Sequence, residues 1–325
     1  MEKTKKWRWG INRWWVFLFI GLSVFFATKY PPIRPGIFVV PENVIARPLF
    51  GNFYLTNSLV GTLIVDIVLI LIALAVRSAA KSGSLVPKGV SGAIEALLEV
   101  IYNLTESTAG KWTKSIFPIF ATITLLVLCS NWLEMFPGVE SIGRLHEGEH
   151  GYPTVSITQN ISAIVKGEGA HAEGDAEVVP FVRVPSTDLN FTLSLALVSV
   201  VMTQVIGFRA QGARYFTKFL NFTTLFKKPG FGLMDLLISV LELISEFSKI
   251  LSFSFRLFGN IFAGSVLLFL VGSILPAGAV WIQSGVLLFE FFIGLIQALV
   301  FGMLTMVFMS MATHGHGGEE EHAAA

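Results

Sequence analysis

One cysteine in 325 residues excludes an intramolecular disulfide, and Cys129 lies in an apolar run where it reads as a small core hydrophobe. Charge is scarce as well: Asp, Glu, Lys and Arg make up 14% of the chain, well below the share usual in soluble domains. The net charge of +1 says little about partners, and no nucleic acid is expected among them. No nucleophile–base pair, metal cluster or glycine-rich phosphate loop stands out, so an enzyme reading has little support and no cofactor is expected. Internal and inverted repeats are missing too, which weakens an alternating-access transporter built from two halves.

What is abundant is apolar. The chain is 53% hydrophobic with 29 Phe and a mean hydropathy of +0.69, which describes a polytopic, all-α membrane protein. Residues 1–13 carry Lys3, Lys5, Lys6, Arg8 and Arg13 ahead of an apolar run from Trp14 to Thr28. That pattern fits a signal peptide or an N-terminal anchor helix. The lack of a small-x-small cleavage site favours a retained anchor with the N-terminus in the cytoplasm. A Pro-rich external loop follows to about residue 56, and Asn57 can cap a helix over 58–76 that carries Asp66 mid-span. Arg77, Lys81 and Lys88 place the far end on the cytoplasmic side. Residues 89–110 are amphipathic, suited to the membrane interface or to another subunit. A span over 115–136 holds Asn131 and Glu134. Residues 139–187 are acidic and read as an outer loop. Its His146-Glu-Gly-Glu-His150 stretch lacks a positioned third ligand, so no metal site is expected. Ser186, Thr187 and Asp188 are possible caps for a span reaching Gly207. Basic residues after it mark the cytoplasm again. The membrane domain is expected over 57–312, between an N-terminal region at 1–56 and a polar, cytoplasmic tail at 313–325.

Two long helices close the domain, over about 231–271 and 281–311, as a hairpin around Pro276. The first, at roughly 60 Å, exceeds a ~30 Å bilayer core and must lie at a steep slant. On a wheel of ~100° per residue, its Asp235, Glu242, Glu246, Lys249, Arg256 and Asn260 share a stripe roughly 80° wide. Arg256 keeps its proton, so its use within a membrane is as a fixed positive charge. Glu246 and Glu242 lie ~15 and ~21 Å back along the helix, out of pairing range. The economical inference is a partner carboxylate on another chain, with Asp66 and Glu134 as the internal alternatives. Folded as a hairpin, Arg256 comes level with Gln297, and Glu290 comes opposite Gly264.

Phe255-Arg-Leu-Phe-Gly-Asn-Ile-Phe-Ala-Gly264 resembles the signature of subunit a of the F-type ATP synthase membrane sector. The resemblance runs from about Asn57 to Ala312. It includes Asn131 with Pro137-Gly138, Pro185-Ser-Thr-Asp-Leu-Asn190, and the stretch around Gln297. It implies five family-core membrane helices beside the N-terminal anchor, in a multi-pass protein of the cell inner (plasma) membrane. It also implies a non-catalytic stator subunit with two offset half-channels. The implied partners are the c-ring, the subunit b peripheral stalk, the remainder of the F1F0 complex and the lipid bilayer. By resemblance, Arg256 faces the ring carboxylates with Asn260 and Gln297 as polar neighbours. Glu242, Ser245 and Lys249 match positions toward the cytoplasmic half-channel. Asn131, Glu134, Arg183, Asp188 and Asn190 match positions on the outer side. Some members carry Glu after the Ala-Gly and His in the last helix; here those positions are Ser265 and Glu290. A carboxyl shifted across the hairpin makes Glu290 the outer half-channel candidate. The competing reading is a single-chain ion transporter.

Overall fold

The computed structural model describes residues 39–45, 47–48, 51–81, 90–136, 138–158, 161–164, 176–212, 214–215, 229–274 and 280–314, with positions 14, 17, 18, 21, 22 and 25 before them. Those six N-terminal positions are helical; the rest of the expected anchor, most of the basic segment before the first long helix, the hairpin tip and the tail lie outside the described residues. Six helices are described over the membrane domain: α1 (Asn57–Lys81), α2 (Val90–Ala109), α3 (Thr113–Trp132), α4 (Leu189–Gln211), α5 (Pro229–Ile274) and α6 (Val280–Thr313). Five stretches are long and apolar enough to cross a membrane: Asn57–Ser78, Gly92–Met135, Leu189–Gln211, Leu237–Gly272 and Ile282–Thr313. The protein is therefore an all-α, polytopic membrane protein. The 46 residues of α5 amount to roughly 70 Å of helix against a ~30 Å apolar layer, so it crosses at a slant.

Local chemistry sets the ends of these helices. Thr56, rather than Asn57, caps α1: its Oγ1 accepts from the Leu59 backbone N–H at 3.3 Å. The Asn57 carboxamide is used elsewhere, its Oδ1 accepting from Glu42 N at 3.2 Å and Ser58 N at 2.9 Å. Of the three possible caps before α4, Asp188 does the work, its Oδ1 accepting from Asn190 N at 2.9 Å. A short 3-10 turn, Gly110–Trp112, joins α2 to α3. Gly110 sits there at φ +50°, a left-handed residue just past a helix end.

The acidic 139–187 segment, expected as a solvated loop, carries strands among its described residues. Strands β1 (Gly143–Tyr152) and β4 (Ala176–Pro180) pair antiparallel, as do β2 (Thr154–Thr158) and β3 (Ile161–Ile164). The alternation in Thr154-Val-Ser-Ile-Thr158 is the period-2 pattern of a strand, and an Ile-x-x-Ile segment answers it. His146 is exposed on β1. Among the described residues no three His, Cys, Asp or Glu side chains come together as a metal site.

The core has two parts. In one, Ile123 and Val127 of α3, Ala196 of α4, Leu257 and Ile261 of α5, and Ala298 and Phe301 of α6 interlock. In the other, the apolar face of α2, led by Ile101 with Leu97, Leu98 and Leu104 beside it, packs on Ile116, Phe120, Ile206, Met306 and Met309. The amphipathic helix therefore covers its own chain. α3 and α6 share the longest seam. They meet so closely that a Cβ at Gly302 would overlap Thr124 and Phe120. Much of α1 and one face of α5 stay bare, including Leu63, Ile67, Leu71, Leu241, Phe247 and Phe255.

Candidate functional site

The polar stripe of α5 straddles the border between its buried and open faces. Phe253, Leu257 and Ile261 point into the core, while Arg256 and Asn260 are exposed. Arg256 stands beside exposed Phe255 and Leu251. Its Nη2 donates to Ser252 Oγ at 3.4 Å. Among the described residues it contacts no carboxylate, neither Asp66 nor Glu134. Asp66 is itself exposed on α1.

One turn beyond Arg256, Asn260 Nδ2 donates to Gln297 Oε1 at 2.9 Å. The sequence expectation put Arg256 level with Gln297. Gln297 meets Asn260, on the same stripe as Arg256 and one turn from it. Glu290 does lie against Gly264, so closely that a Cβ there would overlap its carboxylate. A glycine at this position makes room for the acid. Asn260, Gly264, Glu290 and Gln297 border a cavity of about 410 Å³ whose walls are otherwise apolar, including Leu267, Phe289 and Ile293.

Glu290 and Gln297 are each 5% exposed. Glu290 Oε1, Gln297 Nε2, Ser265 Oγ, Asn131 Oδ1 and both Glu134 carboxylate oxygens are buried without a hydrogen-bond partner among the described residues. Asn131 Nδ2 donates to Gly294 O at 3.0 Å. Trp132 stacks on Phe291, ring centroids 4.6 Å apart, holding the end of α3 against α6. Glu134 lies within electrostatic range of Glu290 and beside Ser265. Buried polar atoms of this kind call for water or a proton, and a run of them between two carboxyls can pass one along.

The remaining outer-side candidates sit in a second cluster. Arg183 is buried, its Nε donating to Thr187 Oγ1, its Nη2 to Thr187 O and its Nη1 to Val40 O, each at 3.1 Å. Ser58 Oγ donates to Asp188 Oδ2, and Asn57 Nδ2 donates to Pro180 O at 3.3 Å. These bonds tie the N-terminal end of α1 to the turn before α4. The Asn190 residue is exposed, bonded here through its backbone. Glu140, not singled out in the sequence, completes the cluster: its Oε1 accepts from Val184 N at 3.2 Å while its backbone is left-handed at φ 62°. Burial pushes its carboxyl above the usual range, against the pull of the Val184 amide and Arg183. Burial also lowers Arg183, opposed by Glu140, Asp188 and Glu42, and leaves it a cation at working pH.

On the N-terminal half of α5, Glu242 is half-buried and Ser245 exposed. Lys249 Nζ lies 2.9 Å from Glu246 Oε1 and 4.8 Å from the centre of the Phe308 ring. Gln204, Tyr215 and Ser58 join Glu140 as polar partners that the sequence pattern did not point to, because each acts from a different element.

Slanted helices, an arginine bare on an apolar face and a largely apolar cavity with a buried carboxyl in its wall define a multi-pass membrane protein. Comparison with known proteins makes the class specific. The profile of the ATP synthase A chain family matches residues 59–310, and the chain belongs to that family. It is also similar to the ATP synthase subunit a of Syntrophobacter fumaroxidans (strain DSM 10017 / MPOB), at 28% identity over 268 residues, 82% of this chain and 89% of that protein. Membership makes it a membrane subunit of the F0 sector of ATP synthase, associated with the rest of that complex.

Proposed function

We propose that the chain is the stator of the proton channel, with two offset half-channels meeting at Arg256. A neutral carboxyl on a rotor of c subunits can face lipid, whereas an ionised one is far more costly there. Beside Arg256 the ionised form is favoured. Each rotor carboxyl therefore releases its proton on one side and must turn before accepting another from the other side. An ion pair at 4 Å and an effective dielectric of 20 is worth ~4 kcal/mol. A proton crossing 100 mV releases ~2.3 kcal/mol. The two are comparable, so the attraction orders the steps without trapping the rotor.

The outer path runs past Glu134, Ser265 and Glu290, with Asn131 and Gln297 as polar walls. Arg183, Asp188 and Asn190 belong to its outer mouth. Glu242 and Ser245 border the inner path, with Lys249 drawn back beside it toward α4 and α6. Asn260, held by Gln297, stands next to Arg256 on the rotor side. The chain forms no product itself; its partners are the c-ring, the subunit b stalk and the remaining subunits. It sits in the cell inner (plasma) membrane with both termini cytoplasmic.

One observation carries this reading: Arg256 is exposed on an apolar helix face and, among the described residues, contacts no carboxylate of its own chain. Arg256→Ala in reconstituted vesicles is expected to abolish proton-driven ATP synthesis while the soluble sector keeps hydrolysing ATP. Near-normal coupled synthesis would refute the assignment.

A further inference from the structure

Seven residues before Arg256, on the same stripe, α5 carries a second cation. At two turns, Lys249 lies ~10 Å from Arg256 along the axis. A lysine free to swing on that edge would place a mobile charge beside the fixed one. The structure holds it elsewhere. Glu246 is 7% exposed, and its Oε1 takes the Lys249 ammonium at 2.9 Å. Its other oxygen accepts from Gln204 Nε2 of α4 at 3.1 Å. Gln204 is fixed in turn by Tyr215, whose hydroxyl donates to Gln204 Oε1 at 2.7 Å. The buried Tyr215 ring packs on Gly207, where any Cβ would overlap it. Lys249 meanwhile lies over Phe308 of α6. The lysine is therefore drawn into the junction of three helices by a carboxylate that α4 holds in place.

We propose that Glu246 is a positioning residue for the inner half-channel, latching Lys249 into the α4–α6 junction so that Arg256 is the only cation α5 presents to the rotor. This rests on the reading of Arg256 given above. Removing one member of a buried pair leaves the other uncompensated, and in a membrane span a long cationic side chain moves toward a polar surface. Without the Glu246 carboxylate, Lys249 turns to the open edge of its helix.

The test uses the assembled complex in vesicles. Glu246→Gln is expected to raise labelling of Lys249 by a membrane-permeant amine reagent several-fold and to lower proton-driven ATP synthesis several-fold. Adding Lys249→Gln to it is expected to restore at least half of the lost rate, because the misplaced charge is gone. Glu246→Asp, which keeps a carboxylate, is expected to hold both readouts near the parent and covers a failure of Glu246→Gln to assemble. Unchanged Lys249 labelling in Glu246→Gln, or a double variant no faster than the single one, would overturn the latch. Labelling reports the latch whether or not Arg256 faces a rotor, so a failure of the larger reading is seen separately, in Arg256→Ala.

Discussion

Gly264 is the residue whose side chain matters by being missing. Its Cα faces the Glu290 carboxylate across the hairpin, and a methyl group there would overlap both carboxylate oxygens. Gly264→Ala is therefore expected to push Glu290 out of the cavity it borders. The complex should still assemble but synthesise ATP several-fold more slowly, with the loss read in vesicles against the amount of assembled enzyme. Glu140 gives a second prediction at this scale. Its folded pKa is raised by burial, so the folded state binds the proton more tightly than the unfolded chain does. Its contribution to stability is full below the ordinary Glu value, ~4.3, and fades as pH rises through the raised one. Backbone amide protection over 176–188, corrected for the intrinsic base-catalysed exchange rate, should fall over that rise, and Glu140→Gln should flatten the fall.

The N-terminal end of α1 depends on single bonds that can be cut one at a time. Ser58 Oγ donates to Asp188 Oδ2 while Asp188 Oδ1 caps α4. Ser58→Ala leaves a buried acceptor short of a donor, a loss of about 1–3 kcal/mol; Asp188→Ala removes the cap too, about a further 1 kcal/mol. Unfolding of the two single variants and the double should show a coupling of at least ~0.5 kcal/mol, as residues in one network do. Independent effects would show that the clamp is not a unit. The helices themselves were readable from the sequence: an apolar run from Gly232 to Val271 without Pro predicts nearly all of α5, and Pro185-Ser-Thr-Asp188 announces α4. The side on which each stripe residue ends up was not. A wheel orders Glu246 and Arg256 around the axis but cannot say that the seam with α4 falls between them. The outer strands were hidden by composition, since the charges and histidines of β1 outweigh its short alternation.

Across the whole molecule, tight seams and bare faces are unevenly divided. α3 and α6 share the most extensive helix–helix contact, whereas α1 is buried mainly at its N-terminal end and α5 leaves Leu241, Ile244, Phe247, Leu251 and Phe255 uncovered. An apolar surface of that extent suits lipid or another membrane subunit, in keeping with a family whose members work inside a larger assembly. Distances between helices could be anticipated only where small residues force them, as at Gly302. Asp66 sits amid this openness, exposed on α1 between Leu63 and Ile70. A carboxyl at the centre of an inserting helix opposes entry by about 2.5–3.5 kcal/mol, while each Leu or Ile favours it by about 0.3–0.6 kcal/mol. The thirteen Leu, Ile and Val residues of α1 outweigh that opposition on the same scale, so the helix can enter the bilayer with its acid aboard and leave a carboxyl standing on an open face.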